Sequence, residues 1–444
     1  MVQQVARGIS RRDFIKTTGA GGLALGLASL LGATRVVAEP RTLKIGQWSH
    51  FVPAFDDWFD NKFTKEWGEK YDVKVIVDHI TSTELRARAA AEVAAQKGHD
   101  LFKFNDPPPA YEDQVIDHAD IIQEVERRKG KYIDLAKKST YNPKTGKYFG
   151  FSDNFVPDPG NYRKDLWDEV GMVPDTWEDV RIGGAKIKKK FGNPVGIGLS
   201  QEIDTNMAMR AIMYSHGSTV QDEEGQVVIN SKATVEAVKY VRALYKETMT
   251  PEVFTWDPSS NNRFLISGRG SYILNAISAL RTAQKTNPDV AKNIFLWKTP
   301  EGPVKRQGLE HVMGVYVIWK FAENIDLAKQ FLIDYIDNFE EAFRASEFYD
   351  FPTFENAVPD LEAAISNDAA SHPPDKLKVI GTALEWATNV GYPGYATAPI
   401  DEVFNTYVIP TMFAKAARDE LSPEEAVRAA EKEIKRIFAK WEKK

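Results

Sequence analysis

The chain has 444 residues, with 57 lysines and arginines against 63 acidic residues, a formal net charge of −6, and no cysteine. Lacking thiols, it cannot build disulfides, thiolate metal sites, iron–sulfur clusters or a cysteine nucleophile, and it offers no cysteine for a lipid anchor. No basic block marks a nucleic-acid footprint, so nucleic acid is not an expected partner, and the length fits two or three domains of roughly 100–200 residues.

The first element is Ser10-Arg11-Arg12-Asp13-Phe14-Ile15-Lys16. Adjacent arginines, a spacer, Phe, an apolar residue and Lys form the address read by the twin-arginine export receptor. The apolar run behind it, residues 17–33, is thinned by Gly19, Gly21, Gly22 and Gly26. It is too short and glycine-rich for a bilayer, which takes about 20 apolar residues. Val36-Val37-Ala38 offers small side chains to a signal peptidase. Residues 1–38 therefore read as a signal peptide cleaved after Ala38, with the mature chain starting at Glu39.

The mature part opens with a short strand at 43–46. Pro53 starts a helix whose Phe55, Trp58, Phe59, Phe63 and Trp67 form one apolar stripe. Val73, Val75 and Val77 alternate as in a strand, and Thr81-x-x-Glu84 resembles a capping box for an Ala-rich helix stopping near Gly98. A third strand covers 100–104. This β-α-β-α-β series predicts an α/β fold with a mostly parallel sheet, and ligands bind such sheets beyond the strand ends. Those ends carry Trp48 and Asn105-Asp106.

Past residue 150 the spacing changes. Asp175 or Thr176 caps one helix; a strand at 195–199 leads into Gln201, Glu202 and Asp204. Ser231 starts a helix, Trp256 lies in a polar loop, and Gly268-Arg269-Gly270 turns into a strand ending at Asn275. A strand follows at 314–319, then a helix capped by Asn324. Gly391-Tyr392-Pro393-Gly394-Tyr395 is a rigid aromatic turn, and Ser422-Pro423-Glu424-Glu425 starts a last helix with Val427, Ala430, Ile434, Ile437 and Phe438 inward.

Several of these patterns together resemble the extracellular solute-binding proteins of ATP-driven (ABC) importers, the family that includes maltose-binding protein. They are the opening strand and aromatic helix, residues 84–100 running into Asn105-Asp106, Tyr162-Arg163-Lys164-Asp165-Leu166-Trp167 with Gly171, Pro174-x-Thr176-Trp177-Glu178, Phe264-x-x-x-Gly268-Arg269-Gly270, and the closing Ser422 helix. The resemblance implies a two-lobed periplasmic-binding-protein-like fold, its lobes hinge-linked around a ligand cleft. The chain would cross near 151–155, 306–309 and 351. Lobe one would hold 39–153 plus 308–352, and lobe two 154–307 plus 353–444. The implied protein is a periplasmic monomer without cofactor or catalysis, which captures a small solute by lobe closure and delivers it to ABC permease subunits.

Sugar sites pair planar aromatics with carboxylates and amides. The candidate ligand residues are Trp48, Asn105, Asp106, Glu202, Asp204, Trp256, Asn275, Tyr392 and Tyr395; for each, loop packing or a turn role is the plain alternative. A polyol, sugar acid or phosphorylated small molecule is the rival ligand, and Arg163, Arg210, Arg263 or Arg269 turned into the cleft would favour an anionic group. The rival from another class is an exported cofactor-free hydrolase. The seven histidines show no helical metal-ligand pair. Asp153 and Asp158 are weighed as calcium ligands, but no EF-hand spacing accompanies them.

Overall fold

Among the described residues, nine strands build two main sheets: β1 (Arg41–Trp48), β2 (Val73–Ile80), β3 (Leu101–Phe104), β4 (Phe151–Val156), β5 (Gly160–Arg163), β6 (Tyr272–Leu274), β7 (Ile294–Trp297), β8 (Val312–Ile318) and β9 (Phe351–Pro352). The structure is a computed structural model, and it describes residues 41–443. Arg11, Arg12 and the cleavage point after Ala38 lie outside the described residues.

The first sheet has the order β9-β4-β8-β3-β1-β2. β1 pairs in parallel with β2 (Arg41 opposite Val73) and β3 (Ile45 opposite Leu101), as the β-α-β-α-β reading requires. β8 then runs antiparallel to β3 and β4, and β9 antiparallel to β4. Only half of this sheet is parallel, because β4, β8 and β9 are stretches of chain passing to or from the second sheet. The β4–β8 register shifts at Gly314, where a Cβ would stand 1.9 Å from Asn154 Oδ1.

The aromatic stripe covers one face of this sheet, but not on a continuous α-helix. Helix Pro53–Trp58 passes through a π-helical turn, Phe59–Phe63, into helix Thr64–Tyr71. Phe55, Phe59, Phe63 and Trp67 recur every four residues and are all buried. A 3.6-residue period would rotate such a stripe off the sheet, and the wider π turn resets its phase. Trp67 Nε1 donates to Asp334 Oδ2 at 2.9 Å on helix Ile325–Asp337, which packs beside it.

The second sheet has the order β6-β5-β7, all antiparallel, and residue Val195 only bridges Tyr272. The expected strand at 195–199 is therefore corrected to a single bridge. Gly196 sits so close to Phe264 that a Cβ would meet its ring at 2.5 Å, which leaves no room for a pleated partner. Helices pack around this sheet. Trp177–Phe191 starts with a full capping box from Thr176 and Asp179, and Pro423–Trp441 with one from Ser422 and Glu425. Helix Ile203–Ser215 is buried on every side from Asp204 to Ser215, as a central helix is. Two start signals act differently from expectation. Thr81 Oγ1 does bond Glu84 Oε2 (2.8 Å), yet the helix begins only at Leu85. Asn324 makes no side-chain cap; its Nδ2 donates to Thr42 O at 2.8 Å, anchoring the helix to β1.

Three stretches pass between the sheets. β4 continues through Asp158 into β5, residues 308–311 return into β8, and Asp350 precedes β9. The passages are tied together: Asn154 Nδ2 donates to Asp350 Oδ1 at 2.7 Å, and His50 Nε2 lies 3.2 Å from Asp350 Oδ2. No helix among the described residues is long and apolar enough to cross a membrane.

Candidate functional site

Where β1 and β3 end, the chain meets the passages between the sheets and the C-terminal helices. Asn105 and Asp106 stand there, 4% and 7% exposed. Asp106 is bonded by Arg86 Nη2, and the same guanidinium reaches Asp401 Oδ2 through Nη1 at 3.1 Å. Asn405 Nδ2 donates to Asp106 Oδ2 at 3.2 Å. Asp401 and Asn405 lie four residues apart on helix Ala398–Asn405 and so share a face. Burial pushes the Asp401 carboxyl up to about 6 against the pull of Arg86, with Asp106 adding to the rise. Burial opposes the Arg86 charge, but Asp106 and Asp401 outweigh it and raise its pKa.

A second polar cluster spans the passages. His311 Nδ1 lies 3.1 Å from Asp158 Oδ1, and its Nε2 lies 3.8 Å from Asp204 Oδ1. Asp204 Oδ2 accepts from Asn261 Nδ2 at 2.6 Å and Asn275 Nδ2 at 3.2 Å. Asn275 Nδ2 also reaches Asn261 Oδ1 at 2.9 Å. Burial raises Asp204 to about 6, partly countered by His311 and Asn261. Glu202 stands next door as the N-cap of the central helix, accepting from Thr205 N at 2.6 Å and Asp204 N at 2.7 Å. Burial, reinforced by Asp204, holds Glu202 well above the usual carboxylate range.

The aromatic candidates divide. Trp48 is 2% exposed, stacked on His50 at 4.8 Å and tilted against Phe51 at 5.2 Å, so it lies under the strand ends as packing. Trp256 is half-buried, its ring 5.3 Å from Phe264 within its own lobe. Tyr392 accepts from Lys305 Nζ and packs 5.2 Å from Tyr214; Tyr395 lies 6.0 Å from Tyr141. The structure thus places Asp106, with Asn105 buried beside it, in one polar cluster and Glu202, Asp204 and Asn275 in a second, while Trp48 packs on His50 and Phe51. Trp256, Tyr392 and Tyr395 occupy surroundings of their own.

The two weighed calcium ligands do not converge. Asp153 is bonded to Lys103 Nζ at 2.7 Å, and Asp158 to His311. Three of the weighed arginines are held by acids at 2.6–2.8 Å: Arg163 by Asp165, Arg263 by Asp257, Arg269 by Glu252. Arg210 is wholly buried and bonds to no protein group. Sequence reasoning passed over Arg86, Asn261, Glu310, Asp350, Asp401 and Asn405. Each lies on a helix, a turn or a passage with no local motif; only the i, i+4 pair Asp401 and Asn405 behind Pro399 left a faint mark.

Residues 53–335 match the family of bacterial extracellular solute-binding proteins, and residues 8–28 match the TAT (twin-arginine translocation) pathway signal sequence. The chain belongs to that family of solute-binding proteins and is an exported, periplasmic member of it. An arabinooligosaccharide-binding protein of Bacillus subtilis (strain 168) is 23% identical over 285 residues, 61% of this chain and 64% of its own length. The chain thus spans less than two thirds of the length of the curated relatives it matches. Among solved structures, maltose-bound MalE3 of T. maritima superposes with a TM-score of 0.73 at 20% identity, over 89% of this chain and 99% of that one. An ABC transporter solute-binding protein of Thermotoga lettingae TMO bound with α-D-tagatose gives 0.73 at 17% identity, over 89% and 99%. Both likenesses are of fold, which is two-lobed.

Proposed function

We propose that this chain is the substrate-binding subunit of an ABC-type importer, that its solute is a carbohydrate, and that it works by closure of two lobes rather than by catalysis. The observation that carries this reading is the buried polar region at the lobe junction. Asp106 and Asn275 lie just beyond strand ends, where open α/β sheets take ligands, and Asp158, Asp204 and Arg210 are buried on a passage between the sheets and on the central helix. Carboxylates and amides in that setting suit ring hydroxyls, which both donate and accept. The names of the relatives above, which bind an arabinooligosaccharide, maltose and tagatose, support a sugar.

In this reading the ligand touches Asn105, Asp106, Glu202, Asp204 and Asn275, with Trp48, Trp256, Tyr392 and Tyr395 as the aromatic candidates. Lobe one is 39–153 plus 308–352, and lobe two is 154–307 plus 353–444. Arg11 and Arg12 engage the twin-arginine receptor, and the mature monomer starts at Glu39. It docks on permease subunits when closed.

A thermal-shift screen over neutral sugars, sugar acids and polyols tests the reading, because a ligand that binds only the native state raises the midpoint. A specific, saturable shift with a sugar-type solute is expected. Hydrolysis of a glycan by the purified protein would overturn it in favour of an enzyme.

A further inference from the structure

We propose that the solute carries a carboxylate, as a uronic or aldonic acid does, and that the Arg210 guanidinium receives it beside the Glu310 carboxyl. The inference rests on the solute-binding reading and narrows its ligand class. Arg210 is 0% exposed, and Nε, Nη1 and Nη2 all lack a protein hydrogen-bond partner. Among the described residues no other arginine has all three guanidinium nitrogens buried in this state. Its guanidinium carbon stands 5.1 Å from the centre of the Phe404 ring, which supports one face of the fork and leaves its edge donors free.

The groups around it define what can approach. Glu310, on the passage leading into β8, is 2% exposed with Oε2 unpartnered. It feels the Arg210 charge but forms no ion pair with it. Asn206, one turn before Arg210 on the central helix, donates to Phe404 O at 2.9 Å while its Oδ1 has no partner. The other ionised groups nearby are already matched. Arg86 holds Asp106 and Asp401, and His311 sits between Asp158 and Asp204. Arg210 is the cation left over.

An unpaired buried cation is a heavy cost, which a bound anion removes. A guanidinium fork matches a carboxylate with two parallel bonds. Burial raises Glu310 well above its ordinary range and so favours its protonated form, an O–H donor to the same oxygens instead of a repelling charge. A doubly charged phosphate fits this place less well, because the charges of Asp158 and Asp106 already bear on Glu310.

The test is calorimetry and thermal melting of the mature protein with D-galacturonate, D-gluconate, their neutral counterparts D-galactose and D-glucitol, and D-galactose 1-phosphate. An acid should bind at least about tenfold more tightly than its neutral counterpart. Arg210→Met should weaken the acid by about a hundredfold or more, while the melting temperature of the empty protein holds or rises, because an unpaired buried charge is gone. Arg210→Lys, which keeps the charge but not the fork, should fall between the two. Glu310→Gln, still a donor, should keep acid binding within a few fold. Neutral sugars bound as tightly as acids, with Arg210→Met unaffected, would overturn this proposal and leave the carbohydrate reading standing. Preference for the phosphate ester would overturn the carboxylate. Early melting of Arg210→Met with acid affinity intact would make Arg210 structural and overturn it as well. No binding by any compound would overturn this proposal and leave the carbohydrate reading to the wider screen.

Discussion

His311 and Asp158 clasp two of the passages between the lobes: the imidazole Nδ1 lies 3.1 Å from Asp158 Oδ1, and both side chains are buried. On its other side the ring faces Asp204 at 3.8 Å. Burial disfavours the imidazolium, but Asp158 and Asp204 outweigh it and raise His311 above its ordinary value. A raised histidine contributes stability that is complete below its unfolded value near 6.5 and fades as pH climbs through the folded one. His311→Gln should therefore cost most near pH 5.5, on the order of 3 kcal/mol, and progressively less toward pH 9. Urea unfolding of both proteins at pH 5.5, 7 and 9 gives the difference directly. A deficit that does not change with pH would mean that the ring is neutral in the native state.

Lys103 and Asp153 are buried together inside the first sheet, on β3 and β4. The ammonium lies between rings, 5.0 Å from the centre of Tyr316 and 5.6 Å from that of Phe55. Lys103→Met leaves Asp153 without its cation, and at pH 7 the loss should be about 3–5 kcal/mol. Burial already lifts Asp153 to about 6 against the pull of Lys103. As pH falls, the stranded acid protonates and no longer needs a cation, so the deficit should shrink by pH 5. The double variant Lys103→Met, Asp153→Leu should recover most of the stability. A single variant as stable as the parent at pH 7 would show that the pair contributes nothing there.

What the sequence shows well is what repeats or is local. The aromatic stripe, the valine alternation and the caps at Thr176 and Ser422 each report a period or a motif within a few residues, and all reappear as elements. The π turn was hidden, since four-residue spacing looks helical whether the helix is regular or widened. The strand expected at 195–199 failed because its alternating glycines serve close contact, Gly196 with Phe264 and Gly198 with Thr205 and Glu202, not pairing. At the lobe junction the readable part was position past a strand end, which marked Asn105 and Asp106. Around Asp106, the donors Arg86 and Asn405 and the second acid of Arg86, Asp401, arrive from up to about 300 residues away in sequence, and no local pattern encodes such a meeting.

The two tryptophans named from position alone should separate by experiment. Trp48 is fully packed on His50 and Phe51, so Trp48→Ala should cost about 3–5 kcal/mol of stability. Trp256 is half-buried against one ring, and its loss should cost far less, about 0.5–1.5 kcal/mol. If Trp256 also stacks on the solute, affinity should drop by about 2 kcal/mol, roughly thirtyfold. Calorimetry with the solute found in the screen decides it; unchanged affinity removes Trp256 from the site.

Arg86 bonds Asp106 beyond β3 and Asp401 on a C-terminal helix at once. Ala110 N adds a donor to Asp401 Oδ2 at 3.4 Å, and Asn405 one to Asp106. On the lobe division proposed above, these bonds form only when the lobes are together and would bias the equilibrium toward closure. Arg86→Met leaves both acids without a cation, and their mutual repulsion should then favour separation of the lobes. Small-angle scattering of the ligand-free variant should give a larger radius of gyration than the parent. Saturating ligand should return both to the same smaller value, because its differential affinity for the closed form offsets the lost bonds. Burial pushes Asp401 up to about 6 even with Arg86 present, and loss of Arg86 raises it further, so acidification neutralises Asp401 and should reduce the variant's extra expansion. Identical scattering curves for parent and variant, with and without ligand, would show that Arg86 has no part in closure.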